Sequence, residues 1–410
     1  MIHFYIYIII IAFIIADFIF EQWLERLQYK SYDYPIPDNL QNIYDSETIQ
    51  KHRQYHKEYY LFETKQEVLT FLITLAVFAF QLLGKLDNFL RSYIENEFLL
   101  TLSFFVIVSF IAFIINLPFS YYETFVIEQK YGFNTTTKKI FITDIFKTLA
   151  ISIVIGVPLL WSIFSFYKHT TEYFWLFAWL VIMIFSLFIT FFYSKLIVPL
   201  FNKQTPLPEG ELKTAILEFC RKANFTVKNV YIIDASKRSK KANAYFTGFG
   251  KNKRIVLFDT LLNTLSTEEI VAVLAHEIGH YKHKHIIKGF ILNSLQMLFT
   301  LYILSLFINN VYLSMALGSK QASFHLGIIS FGILYSPISL IISILFNYVS
   351  RKNEFQADKF AAKYGLSNQL INALKKISAL NYSHLTPHPT YVKINYSHPP
   401  LRERIYNLMQ

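Results

Sequence analysis

Charged residues and cysteine are both scarce in this chain. Only 16% of its 410 residues are Asp, Glu, Lys or Arg, whereas 53% are hydrophobic and 18% are aromatic. So little charge argues against a soluble globular protein, in which about a quarter of the residues are charged. The single cysteine, Cys220, excludes an intramolecular disulfide, and we interpret it as a structural thiol rather than a nucleophile. The composition predicts a polytopic membrane protein.

The sequence also lacks the marks of a cleaved leader. The first apolar run, residues 2–20, has no basic segment before it and no small-residue cleavage site after it. The run is longer than the apolar part of a signal peptide. We therefore predict that it stays in the protein as a membrane anchor.

Long apolar runs are what the chain has in abundance. A membrane-spanning helix needs about 20 mostly apolar residues, and seven stretches meet or approach that length, the second being the weakest. We predict spans at residues 2–20, 68–83, 98–121, 145–167, 173–200, 287–311 and 326–349. Because seven is odd, the two termini should lie on opposite faces of the membrane.

The basic residues indicate which face is cytoplasmic. A formal net charge of +11 could indicate nucleic-acid binding, but the Lys and Arg residues lie in loops between apolar runs. Residues 201–285 alone carry 14 Lys and Arg against 8 Asp and Glu. In a seven-span count the basic loops all fall on one side, and the positive-inside rule makes that side cytoplasmic. We predict an outside N-terminus, a cytoplasmic C-terminus, a lipid bilayer as partner and no nucleic acid.

These spans divide the chain into four parts. Residues 1–200 form a transmembrane region of five spans with cytoplasmic loops, 201–285 a cytoplasmic segment that ends in the HEIGH helix, 286–349 a two-span hairpin and 350–410 a cytoplasmic C-terminal segment. Within the second part, residues 211–224 have the pattern of an amphipathic helix, and 227–235 and 253–262 that of short strands. A further helix should begin after the cap-like pair Ser266 and Thr267.

The motif that indicates chemistry is HEIGH. His276 and His280 are four residues apart, so on a helix they share a face and can converge on one zinc ion. Glu277 is then placed to act as a general base without being a ligand. His283 lies roughly 10 Å along the axis from His276, too far to bind the same ion. We interpret His283 and His285 as solvated or interfacial residues near the lipid headgroups.

A catalytic zinc takes three protein ligands and one open position. The better third candidate is in SRKNEFQADKFAAKYG, two spans after the motif. Two spans form a hairpin, which returns Glu354 to the membrane face of His276 and His280. Glu354 would complete the ligand set, with one zinc per chain. Asp358, four residues on, would orient a ligand histidine or take part in proton transfer.

The stretch VLAHEIGHYKHKH, a membrane hairpin and SRKNEFQADKFA together resemble the type I CaaX prenyl endopeptidase family, which are integral-membrane zinc metalloproteases. Further similar stretches are IEQKYGFNTTT, PLFNKQTPLPEGEL, DASKRSKKANAYFTGFGKNKRIVLFDTLL and YSHPPLRERI. The resemblance implies an all-α polytopic fold of seven helices around a water-filled chamber, with a small α/β zinc-protease unit on the cytoplasmic side. It implies zinc on His276, His280 and Glu354, with Glu277 as base and Asp358 as proton donor.

The same resemblance implies roles for residues outside the metal motifs. Asn243, Ala244 and Tyr245 should run beside the substrate backbone, as an edge strand that accepts a peptide. His398 of YSHPP should lie near the site, where it would stabilise the oxyanion. Eukaryotic members carry a histidine two residues before the asparagine, where this chain has Lys241. That difference leaves the role of this position open.

We predict a monomeric zinc endopeptidase that cleaves near the C-terminus of prenylated CaaX-type substrates or related membrane-associated peptides. The alternative is a quality-control protease without a prenylated substrate. An intramembrane metalloprotease of the site-cleaving kind is disfavoured, since the sequence contains no Asp-Gly pair. A zinc-binding transporter or scaffold is disfavoured by the presence of Glu277. The abundance of Ile, Phe, Lys, Asn and Tyr, and the form of the C-terminal end, favour a bacterial inner membrane over endoplasmic reticulum.

Overall fold

The computed structural model describes residues 1–41, 43–44, 46–227, 229–247 and 254–410. These residues are largely helical. The helices are α1 Ile2–Lys30, α2 Ser46–Ala79, α3 Leu82–Arg91, α4 Glu97–Tyr122, α5 Lys138–Thr170, α6 Phe174–Phe192, α7 Val198–Phe201, α8 Glu211–Lys222, α9 Asp259–Leu262, α10 Thr267–Lys282, α11 His285–Phe307, α12 Val311–Ala316, α13 Phe324–Lys363, α14 Ser367–Leu380, α15 Pro389–Asn395 and α16 Leu401–Met409. Two π-helical segments, Glu123–Glu128 and Tyr193–Ile197, continue α4 and α6. The strands are β1 Gln204–Pro206, β2 Asn229–Ile233, β3 Ala244–Thr247 and β4 Arg254–Phe258.

Within these described ranges, six helices are long and apolar enough to cross a membrane, or seven spans if one bent pair counts as a span. The six are Ile2–Asp33, Glu97–Glu128, Lys138–Thr170, Phe174–Phe201, His285–Phe307 and Phe324–Lys363. The bent pair is Glu47–Ala79 with Leu82–Arg91, which meet at 56°. The chain is thus a multi-pass membrane protein, as predicted.

Two predicted span boundaries are wrong in detail. The second prediction, residues 68–83, crosses the break between α2 and α3, where Gln81 adopts the left-handed conformation with φ 52°. The sixth, residues 287–311, runs past Phe307, where α11 ends, and reaches the first residue of α12. The breaks contain only Gln81 and the pair Asn309 and Asn310 as polar residues, and apolar residues resume directly after them. Hydropathy averaged over the length of a span therefore did not find them.

The long helices form a closed ring. Helix α1 contacts α2, and the chain of contacts continues through α3, α4, α5, α6 and α11 to α13, which returns to α1. This ring is the arrangement that the sequence predicted for the transmembrane part. Asn116 on α4 and Asn293 on α11 are exposed within it, and polar side chains at membrane depth normally face protein or water rather than lipid.

The end of the ring near the start of α13 is closed by a buried polar cluster. Asp87 on α3 is fully buried and accepts hydrogen bonds from Arg91, from Ser319 and Ser323 in the loop before α13, and from His325 Nε2 at 2.9 Å. This cluster fastens α3 to the start of α13. The opposite end of α13, a helix of 40 residues, lies roughly 60 Å further along the axis, at a rise of about 1.5 Å per residue.

At that opposite end lies the small α/β unit. Its sheet has the strand order β1-β2-β4-β3 in the described residues, with β2 and β4 parallel and the outer pairs antiparallel. The predicted helix 211–224 is confirmed as α8, and α10 begins at Thr267. The predicted strands are confirmed as β2 and β4, although residues 228 and 253 lie outside the described ranges and residues 259–262 form helix α9.

One apolar core joins parts of the chain that are far apart in sequence. It combines Leu40 and Ile216 with Leu257 and Ile278, and with Leu401 near the C-terminus, all at most 8% exposed. The segment before α2, the sheet, α10 and the C-terminal helices therefore pack as one body. Helix α13 runs without a break from the membrane into this body, and it carries the second half of the metal motif.

Candidate metal centre

Helix α10 positions the first half of the site. Ser266 begins the helix with a capping box: its side chain accepts from Glu269 N, and the Glu269 carboxylate accepts from Ser266 N. This arrangement satisfies two backbone donors that the first turn would otherwise leave free. About three and four turns later, His276 and His280 project from one face of the helix towards α13.

Helix α13 brings the third candidate ligand to the same place. His280 Nε2 lies 3.1 Å from His276 Nε2 and 3.1 Å from Glu354 Oε1, and His276 Nε2 lies 3.4 Å from Glu354 Oε2. The candidate ligand atoms of the three residues all lie within 4.8 Å of one another. The hairpin therefore places His276, His280 and Glu354 together, as the sequence predicted.

These distances fit a tetrahedral zinc ion. Ligands at about 2.0–2.1 Å from zinc lie roughly 3.3 Å from one another at tetrahedral angles. Glu354 Oε2 is buried and has no hydrogen-bond partner, and a buried carboxylate oxygen without a partner is costly. A cation between the three side chains would satisfy that oxygen. The donor set suits zinc, since two imidazoles and one carboxylate leave a fourth position open.

The far nitrogen of His276 is held by a carboxylate. His276 Nδ1 lies 2.8 Å from Asp358 Oδ1, and Asp358 is fully buried. Arg404 Nε and Nη2 donate to the two oxygens of Asp358 at 3.0 and 2.6 Å. Burial and the positive charge of Arg404 lower the pKa of His276, but its contacts with Asp358 and Glu354 outweigh both and raise the pKa to about 9. The carboxylates thus favour a positive charge at this position.

The far nitrogen of His280 has a different partner. His285 Nδ1 lies 3.1 Å from His280 Nδ1, and His285 Nε2 lies 2.9 Å from Gln356 Oε1. His285 is only 5% exposed, so its interpretation as a solvated or interfacial residue is wrong. Lys284 adopts the left-handed conformation with φ 58° between α10 and α11, which turns His285 back against α10. His283, by contrast, is exposed as predicted.

Two predicted catalytic residues lie beside the ligand group. Glu277 is half-buried, next to His276 on α10. His398 Nε2 lies 3.5 Å from Glu354 Oε1, and the side chain is 67% exposed. Its Nδ1 lies 3.0 Å from the hydroxyl of Ser397, which can donate to it. His398 therefore lies at the exposed rim of the ligand group with Nε2 near Glu354.

The predicted peptide-binding residues lie on or next to an edge strand. Ala244 and Tyr245 belong to β3, which pairs with β4 and ends the strand order in the described part of the sheet. Asn243 is exposed, and its carbonyl accepts from Phe258 N at 3.2 Å. Lys241 Nζ lies 3.2 Å from Glu128 Oε1. The outer edge of β3 therefore has the geometry that can accept a further strand.

Three residues that contribute to this site escaped the sequence analysis. Arg404 was seen only as part of a similar stretch, and His285 was placed at the surface. Gly279 was given no role, but a Cβ there would lie 3.0 Å from Ala357 Cα and 3.0 Å from Phe360 Cβ. Its missing side chain lets α10 and α13 approach. A glycine inside a motif helix was the one available signal.

Comparison with protein families accounts for nearly the whole chain. Residues 25–203 match a family model described as CAAX prenyl protease N-terminal, five membrane helices. Residues 206–410 match the model of peptidase family M48. The boundary between the two models falls at β1, the first strand of the sheet.

Individual proteins are similar over the same length. The chain is 37% identical to a CAAX prenyl protease 1 homolog of Arabidopsis thaliana, with 97% of this chain and 96% of the relative covered. It is 34% identical to CAAX prenyl protease 1 of Saccharomyces cerevisiae, with 97% and 94% covered. Among solved structures, the crystal structure of S. mikatae Ste24p superposes with a TM-score of 0.93 at 32% identity, covering 99% of both chains.

Proposed function

Because this chain belongs to peptidase family M48, we propose that it is a zinc endopeptidase of the membrane that cleaves prenylated CaaX-type proteins near their C-terminus. Membership of the family makes it a membrane metalloendopeptidase. The relatives described above carry the name CAAX prenyl protease, which favours a prenylated substrate over the quality-control alternative. Zinc, the roles of individual residues and the orientation in the membrane are parts of the proposal.

The convergence of His276, His280 and Glu354 carries the proposal. Helices α10 and α13, which are formed by two segments far apart in the chain, meet at this place, where His276 Nε2 lies 3.4 Å from Glu354 Oε2. Their three candidate ligands lie within 4.8 Å of one another, and Glu354 Oε2 is buried without a hydrogen-bond partner. His276 Nε2 and Arg404 Nη1 lie 3.4 and 3.6 Å from this oxygen without hydrogen-bonding to it, and a metal ion between the three ligands would satisfy it.

In the proposed site the two histidines and Glu354 hold one zinc ion per chain. A zinc ion bound here supplies Lewis acidity, which polarises the peptide carbonyl and makes water more acidic. Glu277, which is not a ligand, takes a proton from the attacking water and passes it to the leaving amine. His398, whose exposed side chain lies beside the ligand group, donates to the negative charge that develops on the carbonyl oxygen.

The contacts of Asp358 favour one of its two suggested roles. It is fully buried, its Oδ1 faces His276 Nδ1, and both oxygens accept from Arg404. A carboxylate held in this way orients the imidazole and fixes its tautomer. We therefore assign Asp358 to orienting His276 rather than to proton donation.

The substrate peptide is proposed to add to the sheet beside β3. Asn243, Ala244 and Tyr245 would offer backbone groups to an extended peptide, since strand addition uses the free edge of a sheet. A lipid anchor would keep such a peptide at the bilayer, with about 0.8 kcal/mol for each buried CH₂ group. The site lies where the membrane helices meet the α/β unit, which is within reach of a membrane-anchored tail.

The proposed orientation places the α/β unit in the cytoplasm and the N-terminus outside. The excess of basic residues in the segments that build this unit supports it. A bacterial inner membrane remains our preference from the composition, whereas the relatives named above come from eukaryotes. Fractionation of the native cells would decide between that membrane and the endoplasmic reticulum.

The test uses purified full-length protein and paired peptides that differ only in a prenyl group. We expect mass spectrometry to show removal of a C-terminal three-residue fragment from the prenylated peptide, and a content of about one zinc per chain. Cleavage of both peptides at equal rates, or of unrelated unfolded proteins instead, would favour the quality-control alternative.

Glu277→Gln separates an enzyme from a zinc-binding scaffold. The amide keeps the shape of the side chain but cannot take the proton, so we expect the rate to fall by roughly 10² to 10⁴. Zinc content should stay near one per chain, because Glu277 is not a ligand. His276→Ala is the matched control, which should lose both zinc and activity. Unchanged cleavage by Glu277→Gln would remove Glu277 from the mechanism.

A further inference from the structure

The first residue of α11 is directed at the metal centre rather than at the membrane surface. His285 is 5% exposed, and its ring lies 5.1 Å from that of His280, centroid to centroid. The left-handed Lys284 separates the axis of α10 from that of α11. A non-glycine residue in this conformation is uncommon and costs free energy. The turn holds His285 in contact with a candidate metal ligand.

The hydrogen-bond directions follow from the chemistry of the rings. For His280 Nε2 to bind a metal it must carry no hydrogen, so the hydrogen of a neutral ring lies on Nδ1. His280 Nδ1–H then donates to His285 Nδ1 over 3.1 Å. The hydrogen of His285 lies on Nε2, which donates to Gln356 Oε1 over 2.9 Å. His280, His285 and Gln356 thus form a hydrogen-bonded row in which every donor meets an acceptor.

This row is the counterpart of the contacts of the other histidine. His276 Nδ1 faces Asp358, which Arg404 holds through two hydrogen bonds. The partner of His276 is therefore a charged carboxylate, whereas the partner of His280 is a neutral imidazole backed by a neutral amide. Both rows end on helices that pack around α10, and Gln356 lies on α13 between Glu354 and Asp358.

We propose that His285 is a positioning residue for the metal centre: it accepts the Nδ1 hydrogen of His280 and so directs Nε2 of His280 at the ion, while Gln356 fixes the tautomer of His285. This inference rests on the proposed zinc site. A histidine partner gives His280 less electron density than a carboxylate gives His276, so the two zinc ligands differ in basicity. Replacement of His285 should therefore weaken zinc binding although all three candidate ligands remain in the protein.

The test measures zinc affinity of the full-length protein by competition with a chelator, apart from any activity. His285→Phe keeps an aromatic ring but removes the acceptor, and we expect the zinc affinity to fall about 10- to 100-fold. His283→Phe is the matched control, since His283 is exposed and stacks on His285. It should leave the affinity within about twofold of wild type. Equal affinities for His285→Phe and wild type would overturn the proposal.

Two further variants separate a hydrogen-bonded row from a packing contact. His285→Gln restores an acceptor oxygen and should recover part of the affinity that His285→Phe loses. Gln356→Met should weaken zinc binding by itself, but should add nothing in a protein that already carries His285→Phe, because it acts through His285. Additive losses, or an equal loss in His285→Gln and His285→Phe, would show that the residues only fill space.

The outcomes also separate this inference from the proposed function. If wild type binds no zinc, the proposed function fails. If wild type binds one zinc ion and cleaves peptide while His285→Phe binds zinc equally well, the metal site stands and the role of His285 is lost. Thermal melting of the metal-free variants identifies any that fail to fold. If His285→Phe does not fold, Gln356→Met, which changes only a half-buried residue, tests the hydrogen-bonded row instead.

Discussion

At the scale of single residues, Arg404 has the largest influence on the charge balance of the site. It donates twice to the fully buried Asp358, and its Nη1 lies 3.6 Å from Glu354 Oε2. The site therefore brings the carboxylates of Glu354 and Asp358 and the guanidinium of Arg404 together with the candidate ligands His276 and His280. A charge left alone in such a buried site costs far more than the pair contributes when intact.

We expect Arg404→Met to destabilise the protein, because Asp358 would lose its partner. Breaking a buried pair costs about 3–5 kcal/mol of the free energy of unfolding, which thermal melting of the purified protein would detect. Arg404→Lys keeps the charge but not the two-point contact, so its loss should be smaller. Arg402→Met, at an exposed position of the same helix, is the control. A wild-type melting temperature for Arg404→Met would contradict this account of Asp358.

At the scale of elements, the packing of α10 on α13 decides whether the two halves of the site meet. The two helices approach closely at Gly279, which lies between His276 and His280, because a Cβ there would lie 3.0 Å from Ala357 Cα. Cβ contacts near 3.0 Å are shorter than packed side chains tolerate, so any larger residue must push the helices apart. The same movement would carry Glu354 away from His276 and His280.

Gly279→Ala should therefore weaken both packing and zinc binding. Inserting a methyl group into a full contact costs about 1–3 kcal/mol, and we expect lower zinc affinity as well as a lower melting temperature. Gly289→Ala is the control, because a Cβ there meets nothing within 4 Å. Alanine should be neutral or slightly favourable at that helical position. A Gly279→Ala protein with normal zinc affinity would show that the helices can adjust.

At the scale of the whole molecule, the positions of the polar cluster around Asp87 and of the metal centre define two ends of the ring. Helix α13 connects them, since it begins beside His325 and reaches Glu354 without a break. The basic segments lie at the end that carries the metal centre. We therefore expect these two ends to lie on opposite faces of the membrane.

Cysteine labelling in intact and permeabilised cells tests that orientation. Lys320→Cys, in the exposed loop before α13, should react from outside, and Lys237→Cys, exposed in the α/β unit, should react only after the inner side is opened. The native chain is its own control. Cys220 is 3% exposed, and burial raises its pKa to about 11, so the thiol should stay unlabelled. Outside labelling at Lys237→Cys would invert the topology.

The sequence alone determined the multi-pass membrane class, and it predicted seven spans and three candidate metal ligands. Each follows from a local or additive property. The length of apolar runs predicts spans, their parity predicts which segments share a face, and a spacing of four predicts that His276 and His280 share a side of a helix. Glu354 could be found because a two-span hairpin must return the chain to the same membrane face.

Tertiary structure alone decided what surrounds those ligands. Arg404 reaches Asp358 across 46 residues of sequence, and no local pattern predicts a contact of that separation. The bend after α2 and the turn before His285 depend on left-handed residues, Gln81 and Lys284, that are neither glycine nor asparagine. Strands β1 and β3 are three and four residues long, too short for a periodic signal, and they exist because the sheet supplies their hydrogen bonds. Packing and pairing energies of this kind belong to the assembled chain, so they cannot be read from one segment of it.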